Sequence, residues 1–185
     1  MNIHQLSVIY VEEQDRILVR FNTGEGEELR LWLTRRMLTR VFEPMQEAVG
    51  HLEARKTQMS DGSAVNRRML AELKRAEVLE NSDFSTPYKE HASELPLRIL
   101  PMLVTQMSMS VQDNRQLKIS FEERLPEQDE VRAFEVSMES PMLHGFMHLL
   151  ESAMGKAQWD GASAHHTREN HGDEAAEEAR PKYLQ

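Results

Sequence analysis

Three groups of residues in this 185-residue chain have types and spacing that bear on chemistry. His144 and His148 stand one helical turn apart with Glu151 close behind, a spacing that sets three metal-ligating side chains on one helix face. Leu143, Phe146, Met147 and Leu150 take up the core stripe of the same helix, so the polar three are expected to face solvent. His165, His166 and His171, with Glu169 or Asp173 nearby, offer a loose set of ligands for a divalent metal, but their spacing matches no closed zinc pattern. Cysteine is absent, which removes disulfides, thiolate zinc sites and thiol catalysis. No G-x-G-x-x-G, G-K-[ST], H-E-x-x-H or G-x-S-x-G motif is present. A carboxylate-pair hydrolase stays open with 31 acids in the chain, yet none of them stands out by position. The expectation is a protein that is not an enzyme and holds no cofactor or metal.

The third group is basic. The net charge is −9, which argues against general binding to nucleic acid or to a membrane surface. Residues 16–75 nevertheless carry 12 basic against 8 acidic side chains. The surplus gathers at Arg30, Arg35, Arg36 and Arg40, with no acid between them, and again at Arg67, Arg68, Lys74 and Arg75. Arginines in the first turn of a helix oppose its positive end. Either acids such as Glu27 and Glu28 neutralise Arg35 and Arg36, or these two meet an external anion.

The elements that position these groups follow from hydrophobic periodicity. Leu6, Val8 and Tyr10 alternate, as do Ile17, Val19 and Phe21, and then Leu29, Leu31 and Leu33, the period of strands with one buried face. A helix follows from about Arg35, with Leu38, Val41, Phe42, Met45, Val49 and Leu52 as its stripe and a kink expected at Pro44. A second helix carries Val65, Met69, Leu70, Leu73, Ala76 and Leu79 on its apolar side, capped by Asp61 or Ser63. The stretch Asn81–Pro96 reads as an irregular connection. The order of strand, strand, strand and helix then recurs: Met107, Met109 and Val111; Leu117, Ile119 and Phe121; Phe134, Val136 and Met138; and a helix opened by Ser140 as N-cap with Pro141 behind it.

The two stretches align residue by residue. Met1–Val8 lies over Met102–Met109, Phe21 over Phe121, and Ala48-Val49-Gly50 over Ala153-Met154-Gly155, with the glycines suited to left-handed helix ends. An internal repeat is therefore expected. The expected fold is α+β, two pseudo-symmetric β-meander-plus-helix (βββα) repeats with antiparallel sheet. It forms a single domain over 1–160: repeat one 1–50, a linking helix and loop 51–101, and repeat two 102–155. Residues 161–185 are polar and acidic and are expected to be a disordered tail.

Under the alignment Arg30 lies over Glu135, Trp32 over Ser137, and Arg35 and Arg36 over Ser140 and Pro141. The first repeat thus carries a basic, aromatic-bearing face that the second lacks. Two function classes follow. The first is a non-catalytic protein-interaction protein, an adaptor or accessory factor that docks a protein partner on Arg30, Trp32, Arg35 and Arg36. The second is a single-stranded nucleic-acid binder using that same sheet face as a stacking platform. Meander-plus-helix repeats resemble, in topology only, the PUR and Whirly single-strand binders, and that resemblance implies binding through the sheet. No apolar run approaches the roughly 20 residues that span a bilayer, and the first residues, Met1–Leu6, lack the pattern of a secretory signal. A cytoplasmic protein without membrane contact is expected, and homo-oligomerisation is left open.

Overall fold

The computed structural model describes residues 3–57, 63–82, 88, 94–97, 99–126 and 130–159. Alternation places the strands. β1 (Ile3–Val11), β2 (Arg16–Thr23) and β3 (Glu28–Thr34) form an antiparallel meander. A 3-10 turn over Glu12–Gln14 joins the first two, closed by Asp15 at φ 47°. Within this meander Phe21 faces Leu29, Val19 faces Leu31 and Ile17 faces Leu33. The second meander is β5 (Gln106–Val111), β6 (Leu117–Glu123) and β7 (Arg132–Met138). Here Phe121 faces Phe134, Ile119 faces Val136 and Leu117 faces Met138.

The fold is α+β, with seven strands among the described residues rather than the six expected. Met102–Leu103, expected to open the second meander, instead forms β4 and pairs parallel to β3, Leu31 with Met102 and Trp32 with Leu103. The first sheet is therefore mixed, in the order β1-β2-β3-β4, and the second is antiparallel, β5-β6-β7. β4 covers backbone groups that a bare β3 edge would leave unpaired. Glu123 fastens it to the second sheet by accepting from the Leu103 amide at 2.7 Å.

The two inner rows meet. Ile17, Val19, Phe21, Leu31, Leu117, Ile119 and Phe121 are fully buried and belong to one cluster. The Phe21 ring lies 6.2 Å from Phe121 and 5.9 Å from both Phe134 and Phe146. The helices interlock the halves. α1 (Arg35–Lys56) follows β3 yet packs against β5 and β6, while α3 (Ser140–Lys156) follows β7 and packs against β1.

Local chemistry explains the helix ends. Thr34 caps α1 by accepting from the Met37 amide at 3.2 Å. α1 runs through Pro44, whose exposed position leaves solvent to satisfy the carbonyl it cannot serve. Gly50 and Gly155 lie inside their helices, and the one glycine at positive φ among the described residues is Gly26, at 86°. Ser63 caps α2 (Ala64–Asn81) by accepting from the Asn66 amide at 3.2 Å. Ser140 is not a cap. Glu139 holds that position without a side-chain bond, and Ser140 turns inward.

The 161–185 tail with its histidines, and most of the connection 81–96, lie outside the described residues. Among the described residues no helix is long and apolar enough to cross a membrane.

Candidate functional site

Strand alternation turns Arg16, Leu18, Arg20, Arg30 and Trp32 away from the core row. The second sheet packs on the opposite face, through the Phe21 row, so it does not cover them. Arg20 and Arg30 are direct neighbours in the β2–β3 register, an arrangement that repels unless it is compensated. Glu28 supplies the compensation. It is 1% exposed, and its two carboxylate oxygens accept from Arg30 Nε and, at 3.0 Å, from the Tyr88 hydroxyl. The Arg20 guanidinium sits 4.4 Å from the centre of the Tyr88 ring and donates to Ser7 Oγ at 3.3 Å. Burial, and then the charge and hydrogen bond of Glu28, push the Tyr88 phenol above its ordinary range, so it stays a donor. The Glu28 amide donates to Glu94 O at 2.9 Å, which pins the connection to the β3 edge. Of the described residues of that connection, Tyr88 lies over this face. Trp32 is half-buried, with Leu18 and Leu103 as its cross-strand neighbours.

Arg35 and Arg36 stand apart from this cluster. Both are exposed, as is Arg40 one turn on from Arg36. Among the described residues no carboxylate pairs with any of the three. Neutralisation by Glu27 and Glu28 does not occur for a simple reason. Those acids sit at the start of β3 and the arginines follow its end, about 20 Å of extended chain away. Asp15, the acid beside Arg16 in the chain, is turned to other partners. Its Oδ1 accepts from Tyr10 at 3.0 Å and from Trp159 Nε1 at 2.9 Å. The four residues singled out from the sequence thus divide into a compensated Arg30, a half-buried Trp32, and two cations at the start of α1 that no carboxylate among the described residues compensates.

A second polar centre lies between the helices. α1, α2 and α3 enclose a cleft of about 550 Å³, with Gly50, Ala71, Arg75, His144, Met147 and Glu151 among its lining. Below it Glu53 and His144 are 2% exposed and Ser140 is 6% exposed. Glu53 Oε1 accepts from the Ser140 hydroxyl and lies 3.3 Å from His144 Nε2. Burial alone would raise the Glu53 carboxyl. The hydrogen bonds from His144 and Ser140, with the Lys56 charge, outweigh it and hold the carboxyl below its ordinary value. Above this seam Arg75 of α2 pairs with Glu151 and approaches His148 Nδ1 to 3.4 Å.

These contacts correct the reading of His144, His148 and Glu151 as a solvated face. His144 is buried against Glu53, and the other two are half-buried around Arg75. The Ser140 proton goes to a carboxylate rather than to the imidazole, so serine and histidine do not form a nucleophile–base pair. Among the described residues no three His, Asp or Glu side chains converge as a metal site. The sequence did hold one signal for the seam: Glu53 falls in phase with Val49 and Leu52 on the buried stripe of α1, a place where an acid needs a partner. Compared with protein-family models, curated proteins and solved structures, the chain matches none.

Proposed function

We propose that this is a non-catalytic interaction protein that docks an acidic segment of a partner protein on Arg35, Arg36 and Arg40, with Trp32 and Arg30 as the adjoining sheet face. The observation that carries this reading is the exposure of the three arginines without a carboxylate partner among the described residues, two of them, Arg35 and Arg36, in a first helical turn whose dipole disfavours cations. Cations kept against local energetics are accounted for by an anion from outside. In the same reading the two meander-plus-helix halves are copies of one unit, and only the first bears these cations: Ser140, Pro141 and Gly145 stand in the corresponding places of α3. Nucleic-acid binding on the sheet is the weaker alternative, because the buried Glu28 carboxylate and Tyr88 already engage Arg30 and Arg20.

The test compares the full chain with Arg35→Ser/Arg36→Ser in capture from native cytosol, at low and high salt and with and without nuclease. The reading expects a nuclease-resistant, salt-sensitive protein partner that the variant loses, by at least about tenfold in affinity, with stability changed by under about 1 kcal/mol. Partners that all vanish on nuclease treatment would establish the nucleic-acid alternative. Capture equal in both chains overturns the assignment of the site.

A further inference from the structure

One apolar row of α2 does not face the core. Val65, Met69 and Leu73 are 66%, 57% and 69% exposed, and Ala76 is exposed beside them. At steps of four, four and three residues these side chains fall within an arc of roughly 80°, opposite the half-buried Leu70, Ala71 and Val78 that turn inward. A continuous apolar stripe of this length on the exposed side of the helix marks a contact surface.

The charges of α2 indicate what covers it. Arg68 and Glu72, paired at 3.2 Å, lie on one flank of the stripe. The order along the helix is basic first and acidic last: no acid sits in the first turn and no base in the last, with Glu77 and Glu80 near the C-terminus. This order opposes the helix dipole. It also places the arginine N-terminal to the glutamate, the less favourable sense for an i,i+4 pair. Local helix energetics therefore leave the pattern unexplained. An antiparallel second copy accounts for it. A twofold axis crossing the stripe at the level of Leu70 and Ala71 brings Val65 near Ala76 and Met69 near Leu73. It keeps like flanks together, so that Arg68 of one copy meets Glu72 of the other in both directions.

We propose that α2 is a self-association surface through which two copies of this chain pair antiparallel along the Val65–Met69–Leu73–Ala76 stripe. One helix pair is a small interface, at the low end of specific contacts, so the dimer forms at micromolar or higher concentration. The surface is separate from the arginines of α1, and the proposal stands whether or not those bind a partner.

Sedimentation equilibrium of the full chain over a micromolar-to-millimolar series tests it. Wild type is expected to shift from monomer to dimer. Leu73→Glu, at an exposed position, is expected to weaken pairing at least about tenfold with an unchanged melting temperature. Arg68→Glu alone and Glu72→Arg alone are each expected to self-associate less than wild type. An equimolar mixture of these two variants is expected to recover pairing, because each glutamate then meets an arginine across the axis. A monomer at every concentration overturns the proposal. So does a dimer indifferent to Leu73→Glu, and so does a variant mixture that pairs no better than its components.

Discussion

The outward faces of the two sheets rest on the same strand register and are finished in opposite ways. On the first, neighbouring arginines are held over a buried Glu28 and under Tyr88, with Trp32 alongside. On the second, the corresponding positions carry Ser108, Ser120, Ser137 and the Lys118–Glu135 pair, whose side chains remain 36% and 54% exposed. One face is a small polar core with its own cover; the other is a solvated surface. Matching registers fix where side chains sit, and burial of one carboxylate decides whether the charges around it stabilise the fold or only decorate it.

The sharpest way to break this comparison is to remove the buried acid. Glu28→Ala leaves Arg30 and the Tyr88 hydroxyl without their acceptor, and about 2–3 kcal/mol of stability is expected to go. The figure is held below that of a sealed pair because Arg30 is 31% exposed. Glu135→Ala on the second sheet is expected to cost under about 1 kcal/mol. Urea denaturation of both variants decides it, and equal losses would erase the distinction.

Trp32 and its register counterpart extend the contrast. Trp32→Ala removes a half-buried indole and is expected to cost about 1–2 kcal/mol, less than a fully buried tryptophan does. Ser137→Ala is expected to stay within about 0.5 kcal/mol. Thermal melts of the two variants measure the gap.

The Glu53 seam tests whether the two halves respond to acid together, since Glu53 comes from α1 and its partners Ser140 and His144 from α3. The Glu53 carboxyl is held below its ordinary value of 4.5 in the folded protein. Its contribution is therefore complete above that value and is lost as pH falls through the lower, folded one. Urea midpoints from pH 7 down to pH 3 are expected to fall less steeply in Glu53→Gln than in the wild type. Parallel slopes would show that the seam carries no acid response.

The smallest expected effects concern helix glycines, one in each half. A Cβ on Gly145 would meet no atom within 4 Å, and one on Gly50 would meet Arg67 Cβ at an ordinary 3.5 Å. Gly145→Ala and Gly50→Ala are each expected to add up to about 1 kcal/mol from helix propensity, with Gly145→Ala gaining at least as much. Calorimetric melts of both check the order.

The sheets were legible because a period of two states which residues share a face. Ile17, Val19 and Phe21 had to point one way, and Arg16, Leu18 and Arg20 the other. Periodicity does not state which face acquires neighbours. For α2 the six residues expected on one apolar side divide in two: Val65, Met69, Leu73 and Ala76 are exposed, whereas Leu70 and Leu79 are half-buried together with Ala71 and Val78. Ser140 has the sequence profile of an N-cap, and only the placement of Glu53, 87 residues earlier, redirects its hydroxyl. The burial of His144 has the same origin. The crossing of α1 and α3 between halves creates the seam, and no local pattern encodes that crossing.

That crossing also sets an order of events. β1 receives α3, and Trp159 closes the arrangement by packing edge-on against Tyr10, 5.8 Å between ring centres, and by donating to Asp15, 144 residues away in the chain. A chain synthesised from its N-terminal side exposes one apolar side of its first sheet until α3 has been made. Contacts of such long sequence separation slow folding, because loop closure precedes any gain from the contact. The first sheet is therefore synthesised before the second half and sealed only after it. Trp159 is the natural probe of that moment: its fluorescence in a Trp32→Phe background is expected to reach the native value only in the slowest refolding phase.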